Sequence, residues 1–239
     1  MSHDPFDAPD AVLFDLDDTL CVYRRPGSDL LAAAFEAVGV KPFFAVDEYY
    51  RRYAEFAAEA DGVAAVRERC FATIAAERGR DPSIGERLAA AYAAERDHSN
   101  VRPLPGAPDV VRRLAGDGYR IGLVTNGPPD VQRTKLDALG LSDAFETTIF
   151  AGHGPAPKPA AEPFRVALDA LDADPGAAVH VGNAPETDVA GAAAAGLWTV
   201  LVDGSGSVPG STAASAAADG PEPDLRVGGV ADLLPPPWE

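Results

Sequence analysis

AVLFDLDDT, residues 11–19, sets four apolar residues directly against a run that holds three aspartates. An unbroken apolar stretch this short reads as a strand buried on both faces, the kind found in parallel sheets. Open α/β sheets place their sites beyond the carboxyl ends of such strands, so the aspartates stand where chemistry is expected. Downstream of residue 103 the same pattern recurs. Strand-like runs at 120–125, 147–151, 178–181 and 198–202 alternate with helical ones at 107–115, 129–139, 162–171 and 187–195. Such alternation predicts βαβ units around a Rossmann-like parallel sheet, an α/β fold. Residues 224–227 read as a last edge strand.

Between the first strand and this region the pattern is helical. Ser28 is placed to cap a helix that stops at Gly39, and further helices are expected at 47–60, 63–78 and 83–97, separated by Gly62, Gly79 and Asp81-Pro82. The expected organisation is a discontinuous core, residues 1–22 and 104–239, with an inserted α-helical domain at 23–103. Charge divides the same way, with a net of −1 over residues 23–103 and −16 over the remainder. Residues 203–223, rich in Gly, Ser, Ala and Pro, read as a flexible segment within the core's C-terminal part. Gly204, Gly206 and Gly210 there are spaced one residue too widely for a dinucleotide-binding loop.

A net charge of −17 opposes nucleic acid and anionic membranes as partners, since both demand a basic face. No run of apolar residues is long enough for a membrane span, and two cysteines do not make a disulfide framework, so the cytoplasm is the expected compartment. Only Lys41, Lys135 and Lys158 are lysines, against 37 acidic residues. A GC-rich genome accounts for the scarce lysine but not for the acid excess, which points to a high-salt cytoplasm. The sequence names no protein partner and sets no oligomeric state.

Four places at strand ends share one edge of the expected sheet: Asp15 with Asp17, Thr125 with Asn126, Lys158, and Asn183 with Asp188. A carboxylate that attacks a phosphoryl group forms an acyl phosphate and divides one hard hydrolysis into two easier steps, and Asp15 is placed for that attack. Asp17, two residues on, suits a general acid and base. Thr125 and Asn126 offer a hydroxyl, an amide and backbone donors ahead of a helix N-terminus, which favours phosphate. Lys158, set between prolines in PKP, brings a cation to the same edge. Each signal alone has a structural alternative: Asp-rich and Thr-Asn-Gly turns are common, a loop lysine is usually solvated, and Asp188 in a first helical turn serves as a cap.

Together, in this order and context, DLDDT, VTNG, the lysine of PKP and GNAPETD resemble the four motifs of the haloacid dehalogenase superfamily. The resemblance covers residues 12–22 and 104–202, and the helical insertion falls where members with a type 1 cap carry theirs. It implies a Mg2+-dependent phosphatase acting on a small phosphorylated metabolite through an aspartyl phosphate. Asp15 would be the nucleophile, Asp17 the acid and base, and Thr125, Asn126 and Lys158 the phosphoryl-binding groups. Asp15, the Asp17 carbonyl, Asn183 and Asp188 would surround the metal. TNGPPDVQRTKLDALGL, residues 125–141, resembles the branch of small nucleotide and sugar-phosphate monophosphatases, although Gln132 and Lys135 have packing or solvation as an alternative. Arg24, Arg25, Lys41, Phe43 and Phe44 lie where similar caps touch substrate, with hinge and interhelix packing as their alternative. The family usually has Asp where this chain has Asn183. That residue is shared with metal-independent 2-haloacid dehalogenases, but those enzymes replace the acid at the Asp17 position. A catalytically weakened, ligand-binding relative is the remaining reading, and the complete set of Asp15, Asp17, Thr125 and Lys158 argues against it.

Overall fold

The computed structural model describes residues 9–57, 62–203 and 221–238. They divide into two compact units, one of residues 9–24, 98–203 and 221–238 and one of residues 25–57 and 62–97. Residues 58–61 and 204–220 lie outside the described residues, so the end of the expected helix 47–60, the glycine cluster and most of the segment 203–223 do too.

The first unit is built on a six-stranded parallel sheet of β1 (Ala11–Phe14), β4 (Arg120–Asn126), β5 (Thr147–Ala151), β6 (Ala178–Gly182), β7 (Trp198–Val202) and β8 (Leu225–Val227), in spatial order β5-β4-β1-β6-β7-β8. β1 lies at the centre, with Leu13 opposite Gly122 on one side and His180 on the other. All four of its residues are fully buried, as an uninterrupted apolar strand between two parallel neighbours requires. Helices α5 (Ala107–Gly116), α6 (Pro129–Leu139), α7 (Glu162–Leu171) and α8 (Ala190–Ala195) connect the strands. Phe164, Ala167 and Leu168 of α7 and Ala192 of α8 pack on Leu13, Val124 and Ala178. At Gly122 an added Cβ would come within 2.6 Å of the Leu13 side chain, so glycine leaves room for Leu13 beside it.

The connections follow local chemistry. α6 begins at Pro129, where a missing N–H costs nothing, and ends at Gly140 with φ 65°, the left-handed conformation that suits glycine. Residues 187–195, expected as one helix, are instead a π-helix at Pro185–Val189 followed by α8. The wide turn lets the amides of Asn183 and Ala184 both reach the Asp188 carboxylate, a constraint that residue periodicity does not report.

A short antiparallel ribbon, β2 (Cys21–Tyr23) with β3 (Val101–Pro103), belongs to this unit and has no counterpart in the sequence pattern. The Arg24 amide continues it, donating to Asn100 O at 3.0 Å.

The second unit is helical: α1 (Gly27–Val38), α2 (Val46–Ala57), α3 (Val63–Glu77) and α4 (Pro82–Ala94). α1 starts one residue before Ser28, with Pro26 in extended conformation at its N-cap, and the Ser28 hydroxyl turns to Asp29. α4 is capped by Asp81, which accepts from Ser83 N at 2.9 Å beside Pro82. Edge-to-face rings of Phe35, Phe44, Tyr49, Phe71 and Tyr92 fill the centre of this unit. Cys21 and Cys70 are free thiols in different units. Among the described residues no helix is long and apolar enough to cross a membrane.

Candidate active site

Parallel strands bring their carboxyl ends to one edge, and there the first unit gathers polar side chains. Asp15 follows β1 and donates its amide to Val181 O at 2.9 Å, which extends the strand by one residue. Lys158, in the connection between β5 and α7, sends a buried ammonium to Asp15 Oδ1 at 2.6 Å, Asp188 Oδ1 at 2.6 Å and Val124 O at 3.0 Å. Its three donors are thereby filled. Asn126, at the end of β4, grips the Lys158 backbone from both sides: Oδ1 accepts the amide at 2.9 Å and Nδ2 donates to the carbonyl at 3.0 Å. Its side chain thus positions the lysine.

Asp188 is more fully engaged than a simple helix cap. Oδ1 accepts from Lys158 and from His180 Nε2 at 3.2 Å, and Oδ2 accepts from the amides of Asn183 at 3.2 Å and Ala184 at 3.0 Å. A Cβ on Gly182 would lie 2.4 Å from the Asp188 carboxyl carbon, so only glycine leaves room for this approach. With two hydrogen bonds on each oxygen, Asp188 holds Lys158 and the loop at 183–184. The resemblance assigns it a metal contact, and the structure gives its carboxylate these four partners.

The electrostatics of this buried group are one cation between two carboxylates. Burial pushes Asp15 up to about 7 against the pull of the Lys158 ammonium. Burial also opposes ionisation of Asp188, but Lys158 and His180 outweigh it and hold that carboxyl well below the usual range. Lys158 would be pulled down by burial alone, yet Asp15 and Asp188 hold it above the ordinary lysine value. Burial keeps the His180 imidazole below its ordinary value, hence neutral at pH 7.

Asp17 belongs to a separate arrangement on the same edge. Lys135 Nζ contacts its two oxygens at 2.7 and 2.8 Å, and Gln132 Nε2 donates to Oδ2 at 2.9 Å and to Thr125 Oγ1 at 2.6 Å. Burial works against the Asp17 charge, but Lys135 and Gln132 hold its carboxyl below the usual range. Lys135 is 5 % exposed at the side chain and Asp17 is 37 %, so the acid stays open to a substrate while its partner does not.

For the metal, the donor set is informative. The Thr19 hydroxyl lies 3.3 Å from Asp15 Oδ2 and 3.1 Å from Asn183 Oδ1, so a charged and a neutral oxygen converge on one point. Among the described residues no cluster of three His, Cys, Asp or Glu side chains is arranged as a metal site. Few carboxylates and several oxygens suit Mg2+, which prefers oxygen ligands and keeps much of its hydration. The Asp15 and Asn183 oxygens therefore fit that ion.

Arg24 is exposed and donates from Nε to Val101 O at 2.9 Å. Arg25 pairs with Glu95 at 2.6 Å within the helical unit, and Lys41 is exposed there. Phe44 is buried among Phe35, Phe43 and Phe71, while Phe43 stacks under the Arg80 guanidinium at 4.4 Å. The two phenylalanines pack helices together. Conversely, Thr19 and His180 carry no role in the sequence reading. A histidine inside the apolar strand AVHVG was the available signal for the second.

A sheet edge with two buried carboxylates sharing one lysine and a further carboxylate nearby agrees with the family comparisons. The model of the haloacid dehalogenase-like hydrolases matches residues 9–196, and the chain belongs to that family. Ribulose-1,5-bisphosphate 5-phosphatase of Halopiger xanaduensis is 31% identical over 234 residues, covering 93% of this chain and 97% of that enzyme. Phosphoserine phosphatase of Thermus thermophilus is 39% identical over 117 residues, 49% of this chain and 44% of that enzyme, so the match spans under half its length. The magnesium-bound HAD-hydrolase YfnB of Bacillus subtilis shares the fold, with a TM-score of 0.74 at 19% identity over 95% of this chain and 97% of that one. The chain is thus a hydrolase of this family, and the first two of these relatives are phosphatases by name.

Proposed function

We propose that this enzyme is a Mg2+-dependent phosphatase that hydrolyses a small-molecule phosphomonoester in two steps through an aspartyl phosphate on Asp15. The observation that carries the reading is the Asp15 carboxylate at the sheet edge, held at 2.6 Å by a buried lysine that Asp188 and Asn126 fix in place. In the first step an Asp15 oxygen forms a bond to phosphorus, the ester P–O bond breaks onto the leaving oxygen, and Asp17 supplies that oxygen with a proton. In the second step water attacks the phosphorus, its proton passes to Asp17, and the electron pair of the breaking bond returns to Asp15. Asp17 is ionised in the free enzyme, which suits the second step. The negative charge of an arriving phosphoryl group raises its hold on a proton, which suits the first. Bound Mg2+ would neutralise phosphoryl oxygens and offset the charge of Asp15. Lys158 and the backbone donors around Thr125 stabilise the negative charge on the phosphoryl oxygens.

The names of the full-length and partial relatives, a sugar bisphosphate phosphatase and a phosphoserine phosphatase, support a small phosphorylated metabolite as substrate. Asp17→Asn is expected to lower kcat about 10²- to 10⁴-fold, the scale of a positioned acid and base. Steady-state kinetics on an alkyl phosphate checks this, and unchanged turnover would remove the role.

Asn183 supplies a dipole where a carboxylate would supply charge, so Asn183→Asp is expected to lower the Mg2+ concentration required. Titration calorimetry of Mg2+ binding and rate titration at fixed ionic strength test it, the latter because a chain of charge −17 also gathers cations nonspecifically. Identical affinities would clear Asn183 of that effect, and full activity in chelator would overturn the Mg2+ dependence itself. Turnover of 2-chloropropionate in chelator would instead establish the dehalogenase reading.

A further inference from the structure

Asp17 is held by two side chains for which the two-step reaction has no separate need. Lys135 and Gln132 stand three residues apart on α6 and so share one helix face. Both are buried, and both end on the same carboxylate, at 2.7, 2.8 and 2.9 Å. Gln132 also ties that face to Thr125 at 2.6 Å. The Lys135 ammonium lies 4.9 Å from the Tyr23 ring centroid, and the Tyr23 hydroxyl meets His98 Nδ1 at 2.7 Å, which braces the lysine from the ribbon side. The chain has three lysines, and two of them are buried against active-site aspartates: Lys158 against Asp15 and Lys135 against Asp17.

A buried ammonium is tolerated only where its partner geometry is good. An acid must also present one oxygen to the leaving group within hydrogen-bond reach, and an error of about 1 Å in such placement costs about 10²-fold in rate. We propose that Lys135 and Gln132 are positioning residues of the acid and base, a clamp that fixes the Asp17 carboxylate in the orientation from which it protonates the leaving oxygen. The clamp thereby sets how well the enzyme handles poor leaving groups. This rests on Asp17 being the acid of the first step. There the new Asp15–phosphorus bond forms, the ester P–O bond breaks, and the Asp17 proton moves to the departing alkoxide. An aryl ester such as p-nitrophenyl phosphate departs as a stabilised phenolate and does not need that proton.

The test compares kcat/KM, which reports only the steps through phosphoenzyme formation, for p-nitrophenyl phosphate and for the fastest alkyl ester among phosphoserine, phosphoglycolate and glycerol phosphate. Lys135→Met is expected to lower the alkyl value at least tenfold more than the aryl value. Gln132→Leu should act in the same direction and more weakly, and Lys135→Arg should restore part of the loss. Circular dichroism checks that each variant is folded. In an Asp17→Asn background, Lys135→Met should add nothing to the discrimination, since both changes remove one function. Equal losses on both esters, or a Lys135→Met effect undiminished in that background, would overturn the clamp while leaving Asp17 as the acid. An Asp17→Asn enzyme that treats the two esters alike would remove the acid role itself, and the clamp with it.

Discussion

Asp15→Asn is expected to abolish turnover while the protein stays folded and still binds orthovanadate. The substitution keeps an oxygen for the Lys158 hydrogen bond and removes the charge that attacks phosphorus. Lys158 retains its ion pair with Asp188 at 2.6 Å, so no buried cation is left alone. Stability should move in the opposite direction from activity. The folded-state value of Asp15 is about 7, above its ordinary 3.8, so the folded protein binds this proton more tightly than the unfolded chain does. The stability this proton confers is present in full below about 3.8 and is lost as pH rises through about 7, a change on the order of a few kcal/mol. An asparagine does not titrate. Urea unfolding in chelator should therefore find the variant at least as stable as the parent at pH 7.5, with the difference shrinking toward pH 4.5. Activity within tenfold of the parent would remove Asp15 as nucleophile.

Lys158→Met has the largest expected cost in stability. It leaves Asp15 and Asp188, both nearly inaccessible, without the ammonium they share, and breaking a buried pair by removing one partner costs about 3–5 kcal/mol. Activity should vanish with it. In the parent, the depressed Asp188 contributes stability above its unfolded value that is lost as pH falls through its folded one. In the variant both carboxyls prefer their protons, so the variant loses stability as pH rises. The gap between the two proteins should be widest at neutral pH and narrow toward pH 4.5. An equal gap at both, or one below about 1 kcal/mol, would show that Lys158 does not compensate these charges.

The core of the fold is legible in the sequence because buried parallel strands are short apolar runs and their connections end on Pro and Gly. Residues 129–139, 147–151, 162–171 and 198–202 are bounded in the structure as their pattern indicates. β2 and β3 escape because three residues, CVY and VRP, are too few for a periodicity. The π-helix escapes because its reason lies in Asp188 reaching back to two amides. At the site, the motifs mark which residues converge but not what each one grips. Asn126 has the composition of a phosphate ligand, and its side chain grips the Lys158 backbone, which no motif reports. Lys135 and Gln132 have the spacing of an ordinary helix face, and only the position of Asp17 across from that face gives them a task.

The β2–β3 ribbon bears on how such a protein diversifies. The chain leaves it at Arg24 and returns at Asn100, residues joined by a hydrogen bond of 3.0 Å. Closing a loop across ends already held together costs only about 0.6 kcal/mol more for each doubling of its length. What lies between can lengthen, shorten or be exchanged for an unrelated module at small thermodynamic cost, while the sheet that aligns Asp15 with Lys158 is left as it was. Recombination at one point in the gene can thus exchange the inserted module and leave the sheet untouched.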